Sequence, residues 1–188
     1  MGRVILVTGG ARSGKSSFAE QLVADMGAEI SYIATARAFD AEMEDRIAKH
    51  RVQRPAAWQT FESPTQPSQV VATQGNRFDV LLLDCLTVMI TNRMLAQDIN
   101  WDAPSVAQMN TIEADILGEI SALLEATAAN PAHLVAVTNE VGYGIVPISP
   151  LSRFFRDCAG RVNQRMAAAA GEVYLVVSGI PVRIKGAT

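Results

Sequence analysis

The sequence predicts an α/β fold, a mostly parallel β-sheet flanked by helices. Two patterns and one junction carry that expectation. Short apolar, β-branched runs recur along the chain, each continuous rather than alternating, as in strands buried on both faces. Between them lie segments whose apolar residues fall at helical spacing. The first run leads straight into a glycine-rich turn and then into one of these helices. Strands alternating with helices imply an open sheet with right-handed crossovers.

In chain order, strands are expected at Val4 to Val7, Val80 to Leu83, Leu134 to Val137 and Val173 to Val177, with a shorter run at Ile30 to Ile33. The first helical stripe is Phe18, Leu22, Val23 and Met26. The second is Ile112, Ile116, Leu117, Ile120, Leu123 and Leu124. The third is Leu151, Phe154, Phe155, Cys158, Val162 and Met166. Ser149 is placed to cap that third helix, Pro150 takes its first position, and Gly171 stands just past its end. Residues 64–75 read as a polar, turn-rich stretch and residues 100–105 as an exposed loop, neither long enough to link domains.

A chain of 188 residues fits one domain with a sizeable core. Its net charge of -3 argues against a general nucleic-acid binder. Cys85 and Cys158 are too few and too far apart for a disulfide framework or a zinc site, and both are expected as buried thiols in a reducing compartment. The N-terminal run lacks the long apolar region of a signal peptide, and no stretch approaches the ~18 apolar residues of a membrane span. The expectation is a cytoplasmic protein.

Gly9-Gly10-Ala11-Arg12-Ser13-Gly14-Lys15-Ser16 matches G-x-x-x-x-G-K-[ST] in full, with a strand before it and an amphipathic helix after it. Glycines let backbone N–H groups turn inward around phosphate oxygens, and the helix N-terminus adds a positive dipole end. Lys15 is expected on the β/γ phosphates and the Ser16 hydroxyl on magnesium. Asp84 ends a central apolar run, where such folds hold magnesium directly or through water; the alternative is a turn cap. Residues 1–188 are therefore read as a single P-loop nucleotide-binding catalytic domain. The motif alone does not separate a kinase from a motor ATPase or a GTPase switch. The Asn-Lys-x-Asp guanine signature is missing: Thr138-Asn139-Glu140 follows a strand without the lysine.

A locally basic segment lies inside this acidic chain. Arg46, Lys49, Arg51 and Arg54 surround His50, one of two histidines. Positive neighbours favour the neutral imidazole that nucleophilic attack requires, and would attract a triphosphate. A solvated helical face is the bland alternative. His133, in a turn before a strand, has no such company.

These blocks, with the YIATA stretch from Tyr32, RIAKHRVQRPAAWQTFE from Arg46, LLLDCLT from Leu81, VTNEVGYGIVP from Val137, FRDCAGRVNQRMA from Phe155 and VVSGIPVRIK from Val176, resemble the bifunctional adenosylcobinamide kinase/adenosylcobinamide-phosphate guanylyltransferases of cobalamin biosynthesis, essentially end to end. The resemblance implies a RecA-like P-loop fold that assembles as a trimer. It implies two reactions: phosphorylation of adenosylcobinamide by ATP or GTP, then transfer of GMP from GTP through a guanylylated histidine, here His50, to give adenosylcobinamide-GDP. It also implies nucleotide contacts at Gly9 to Ser16, at Ala34, Thr35 and Ala36, at Arg51, Val52, Gln53 and Arg54, at Glu62 and at Asp84. A carboxylate at position 62 accepts two hydrogen bonds from the guanine N1–H and amino group, which adenine cannot offer in that arrangement. Asn139, Glu140, Arg156, Arg161 and Asn163 lie in motifs of the resemblance without a derived role. The rival readings are a monofunctional P-loop small-molecule kinase with a silent His50, and a regulatory nucleotide-binding ATPase.

Overall fold

The computed structural model describes residues 1–37 and 55–186. Seven strands occur in it: β1 (Val4–Gly9), β2 (Ile30–Ala34), β3 (Gln59–Glu62), β4 (Val80–Asp84), β5 (His133–Asn139), β6 (Glu172–Val177) and β7 (Ile180–Lys185). Five helices accompany them: α1 (Lys15–Ala24), α2 (Pro67–Gln74), α3 (Leu86–Leu95), α4 (Val106–Ala129) and α5 (Pro150–Ala169). The strands form one sheet in the order β3-β2-β4-β5-β1-β6-β7, parallel throughout except for the antiparallel β6–β7 pair. The expected α/β class and mostly parallel sheet are what the chain adopts.

The continuous apolar runs split by residue parity onto the two faces, because successive strand side chains point to opposite sides. Val4, Leu6, Leu81, Leu83, Leu134 and Ala136 join the core beneath α3, α4 and α5. Ile5, Val7, Val80, Leu82, Val135 and Val137 join the opposite core with Ala19 and Val23 of α1. Phe18 of α1 adds a tilted ring contact with Tyr174 of β6, centroids 5.1 Å apart.

Local chemistry sets the helix starts. Ser105 and Gln108 form a reciprocal capping box at α4. Ser149 caps α5 with Pro150 in its first turn, and Gly171 follows the Ala170 C-cap, as expected. Four elements depart from the sequence reading. The stretch 64–75 is not all turn: it holds α2, whose Val71 is fully buried and whose Ser68 N–H donates to Glu119 Oε1 of α4 at 2.9 Å. α3 was hidden in the mixed run LTVMITNRML, where β-branched residues blur the helical period. β3 and β7 are edge strands with mostly exposed residues, so they lack the buried signature.

Candidate active site

Parallel strands bring their C-terminal ends to one edge of the sheet, and those sequence-predicted residues that the structure describes gather there. β1 ends at Gly9, whose register partners are Asn139 on one side and Val176 on the other. Gly10 to Ser16 then turns into α1. Arg12 and Gly14 both have positive φ, 56° and 91°. Alternation of this kind turns successive N–H groups toward a common point, the geometry of an anion nest. Ser13 N–H donates to Gly10 O at 3.3 Å, and Lys15 Nζ to the same oxygen at 3.0 Å. Lys15 is 8% exposed, so its ammonium is held within the loop rather than in solvent.

The loop is buttressed by a turn that sequence reasoning missed. Ser178 and Gly179 join β6 to β7 with φ of 52° and 80°, as a tight hairpin of primed type needs. Gly179 N–H donates to Ser13 O at 2.7 Å. A Cβ on Gly14 would stand 3.0 Å from Gly179 Cα, so glycine is required there both for its φ and for this approach. The available signal was Ser-Gly between two apolar runs in the VVSGIPVRIK stretch.

Across the sheet, register aligns three further residues. Ala34 is the partner of Glu62 on one side and of Asp84 on the other. Strand spacing of about 4.8 Å makes these neighbours in a single row. Glu62 is exposed, and Phe61 beside it anchors β3 through an edge-on contact with Phe78, centroids 5.9 Å apart. Asp84 is half-buried; the Tyr32 hydroxyl donates to its Oδ2 at 2.9 Å, which orients the carboxylate. Thr35 is fully buried. Its hydroxyl accepts from Cys85 N–H at 2.8 Å and points its own hydrogen at the Cys85 and Asp84 carbonyls, 2.9 and 3.1 Å away. Thr35 thus locks the end of β2 to the turn after Asp84. Ala36, half-buried, follows it. His50, Arg51, Val52, Gln53 and Arg54 lie outside the described residues.

Several motif residues now have structural partners. Asn163 of α5 accepts from the Thr138 hydroxyl at 2.7 Å and donates to Asn139 O at 3.1 Å. Asn139 Nδ2 donates to Thr87 Oγ1 at 2.7 Å, and Thr87 Oγ1 lies 3.1 Å from Cys85 Sγ. A polar chain therefore runs from α5 through the end of β5 to the Asp84 turn. Glu140 N–H donates to Gly9 O at 3.0 Å, and its carboxylate accepts from Gly142 N–H at 3.0 Å. Glu140, Arg156, Arg161 and Asn163 line one cleft of about 510 Å³ together with Thr8. Arg161 pairs with Glu113, and Arg156 with Asp157.

Neither thiol is fit to be a nucleophile. Burial, reinforced by the Asp84 charge, pushes Cys85 up to about 11, and burial with Glu113 nearby pushes Cys158 up to about 12. Both are buried and free, as expected.

The comparison with known proteins is decided over nearly the whole chain. The family described as cobinamide kinase / cobinamide phosphate guanyltransferase matches residues 5–184. This chain belongs to that family. It is 49% identical over 182 residues to the bifunctional adenosylcobalamin biosynthesis protein CobU of Escherichia coli, covering 97% of this chain and 99% of the relative. The CobU protein of Salmonella typhimurium matches equally, at 49% over 182 residues. CobP of Pseudomonas aeruginosa is 41% identical over 181 residues, 96% of each chain. Membership covers the phosphate loop, the Ala34–Asp84 row and the hairpin that supports the loop.

Proposed function

We propose that this chain is a bifunctional enzyme that phosphorylates adenosylcobinamide and then transfers GMP from GTP to the product. The observation that carries the reading is the convergence at one sheet edge of a full phosphate loop with Glu62, Ala34 and Asp84, in a chain of the cobinamide kinase / cobinamide phosphate guanyltransferase family.

In the first reaction the acceptor hydroxyl oxygen attacks the γ-phosphorus of ATP or GTP. The bond to the β–γ bridging oxygen breaks, the nucleoside diphosphate leaves, and the hydroxyl proton passes to base or solvent. Lys15, released from Gly10 O, moves onto the phosphate oxygens, and the nest from Gly9 to Ser16 holds them with backbone N–H groups. Ser16 and Asp84 are hard oxygen donors that suit magnesium, and Asp84 keeps Oδ1 without a hydrogen bond among the described residues, so the pair would supply ligands for an ion that neutralises phosphate charge. In the second reaction an imidazole nitrogen of His50 attacks the α-phosphorus of GTP and expels pyrophosphate. A phosphate oxygen of adenosylcobinamide phosphate then attacks the same phosphorus and breaks the P–N bond. Glu62 reads the guanine edge, Ala34, Thr35 and Ala36 line the nucleotide, and Arg51 to Arg54 hold its phosphates.

Among the described residues no helix is long and apolar enough to cross a membrane. With the biosynthetic relatives, this favours a cytoplasmic enzyme. A trimer is favoured by the family resemblance and by the apolar loop residues Tyr143, Ile145 and Ile148, which are 86%, 96% and 96% exposed.

The deciding experiment is isolation of the intermediate. Labelled GTP and magnesium alone should leave guanylate on the chain, stable in base and lost in acid, as a phosphorus–nitrogen bond to imidazole requires. His50→Asn should abolish the adduct and the second reaction while keeping much of the first, since transfer to a hydroxyl needs no protein nucleophile. An adduct that persists in His50→Asn would move the nucleophile elsewhere.

A further inference from the structure

β2 and β3 part company just where the base is to be read. Their last register pair is Ala34 with Glu62, and the last backbone bond between them is Ser63 N–H to Ala34 O at 2.9 Å. No further backbone bond joins the two strands beyond it among the described residues. From here Thr35 and Ala36 lead toward residues 38–54, which include His50, while Pro64 and Thr65 lead into α2.

A side chain from α3 takes over where the ladder stops. Asn92 is 2% exposed, and its amide Nδ2 donates to Thr35 O at 2.8 Å and to Pro64 O at 2.9 Å. One carboxamide thereby spends one hydrogen on each diverging strand end. Both partners are carbonyl oxygens, so nitrogen must be the atom that faces them. Asn92 Oδ1 is buried without a partner among the described residues. A buried amide that leaves its acceptor unsatisfied is costly, so the two donor contacts are what hold it there. The adjacent Arg93 repeats the device one residue on: Nη1 donates to Thr65 O at 2.6 Å, and Nη2 is held by Asp115 Oδ1 at 2.7 Å.

We infer that Asn92 is a positioning residue for base selection, a clamp that sets Glu62 at a fixed distance from the Thr35 side of the nucleotide site. It rests on the reading of Glu62 as the guanine reader, and adds what keeps that reader in register. The clamp makes no contact with the phosphate loop: its partners are Thr35 and Pro64 alone among the described residues. Its loss should therefore fall more heavily on guanine recognition than on phosphoryl transfer from ATP, because the Thr35 hydroxyl keeps its own bonds to the Asp84 turn.

The test uses full-length Asn92→Asp, which keeps the shape but removes both donors, and Asn92→Ser, which keeps one shorter donor in case the buried carboxylate prevents folding. Guanylate transfer is measured with GTP and with ITP, which lacks the guanine amino group, and phosphorylation is measured with ATP. The expected result is a KM for GTP raised about tenfold or more and a GTP-over-ITP preference drawn toward unity. The kcat at saturating GTP and the KM for ATP should change less than about threefold. A folded variant with unchanged KM for GTP and unchanged preference overturns the inference, as does equal loss of both reactions, which would make Asn92 a general structural residue. Glu62→Gln run in parallel separates the two readings. If it leaves the preference intact, the guanine-reader assignment fails; if it alters the preference and the Asn92 variants do not, the clamp alone fails.

Discussion

Replacing Gly9 by alanine tests how tightly the phosphate loop is set against the sheet. A Cβ at this position would lie 2.5 Å from Val176 O and 2.6 Å from Ser13 Oγ. The Ser13 hydroxyl can rotate away about χ1, but the Val176 carbonyl is backbone and has no such freedom. Val176 is the register partner of Gly9 in the β1–β6 ladder, and Ser13 belongs to the loop that Gly179 N–H grips at 2.7 Å. Relief to even a tight contact of 3.0 Å requires a shift of about half an ångström in a backbone that carries the first phosphate-binding residue. Overpacking of this kind costs about 1–3 kcal/mol. Each kcal/mol lowers the melting temperature by roughly 2–4 °C in a chain of this size. Misplacing the loop should also lower kcat/KM for phosphorylation by roughly ten- to a hundredfold. Gly10 is the internal control, since a Cβ there meets nothing within 4 Å and should leave the melting temperature unchanged. Scanning calorimetry and steady-state kinetics on both variants decide the matter. If Gly9→Ala melts with the parent and keeps its kcat/KM, the steric reasoning is wrong.

Three other outcomes are expected. Lys15→Ala should cripple phosphorylation of adenosylcobinamide, because it removes the ammonium that the loop holds at Gly10 O beside the phosphate nest; near-parental turnover in a direct assay would remove the phosphate-loop assignment. Glu62→Gln puts a donor against a guanine donor, a mismatch of about 1–3 kcal/mol once the base is bound, so the ratio of kcat/KM for GTP and ITP should fall roughly ten- to a hundredfold. His133 Nδ1 accepts from Arg3 N–H at 3.0 Å, and burial, with Arg3 nearby, holds its imidazole below its ordinary value of 6.5. The unfolded chain therefore takes up the proton first, and this contribution to stability is full above that value and lost as the pH falls below it. His133→Gln, which keeps an acceptor but does not titrate, should lose less stability than the parent between about pH 7.5 and about pH 5.5 in denaturant titrations; identical losses would show that His133 does not contribute.

Much of the scaffold was legible because its signals are local. β1, β4 and β5 are buried along nearly their whole length, and continuous apolar runs announce such strands. The phosphate loop was equally plain, since the turn, the lysine and the helix start all lie within eight successive residues. What escaped lacked such a signal. β3 is exposed and four residues long, and it is a strand because β2 offers it an edge. α2 carries little apolar surface of its own and is completed by the Ser68–Glu119 contact with α4.

By itself the sequence determined the α/β class, the phosphate loop with Lys15 and Ser16, the buried thiols and the family motifs. Each depends on residues close together in the chain, where period, turn chemistry and spacing act directly. Tertiary structure alone decided that Glu62, Ala34 and Asp84 stand in one row, that Gly179 braces Ser13, and that Asn92 bridges Thr35 and Pro64. These pairings join residues from 28 to 166 positions apart, with Asn92 reaching Thr35 across 57. Strand order and register create them, and both are set by how the whole sheet buries its two faces rather than by any local preference.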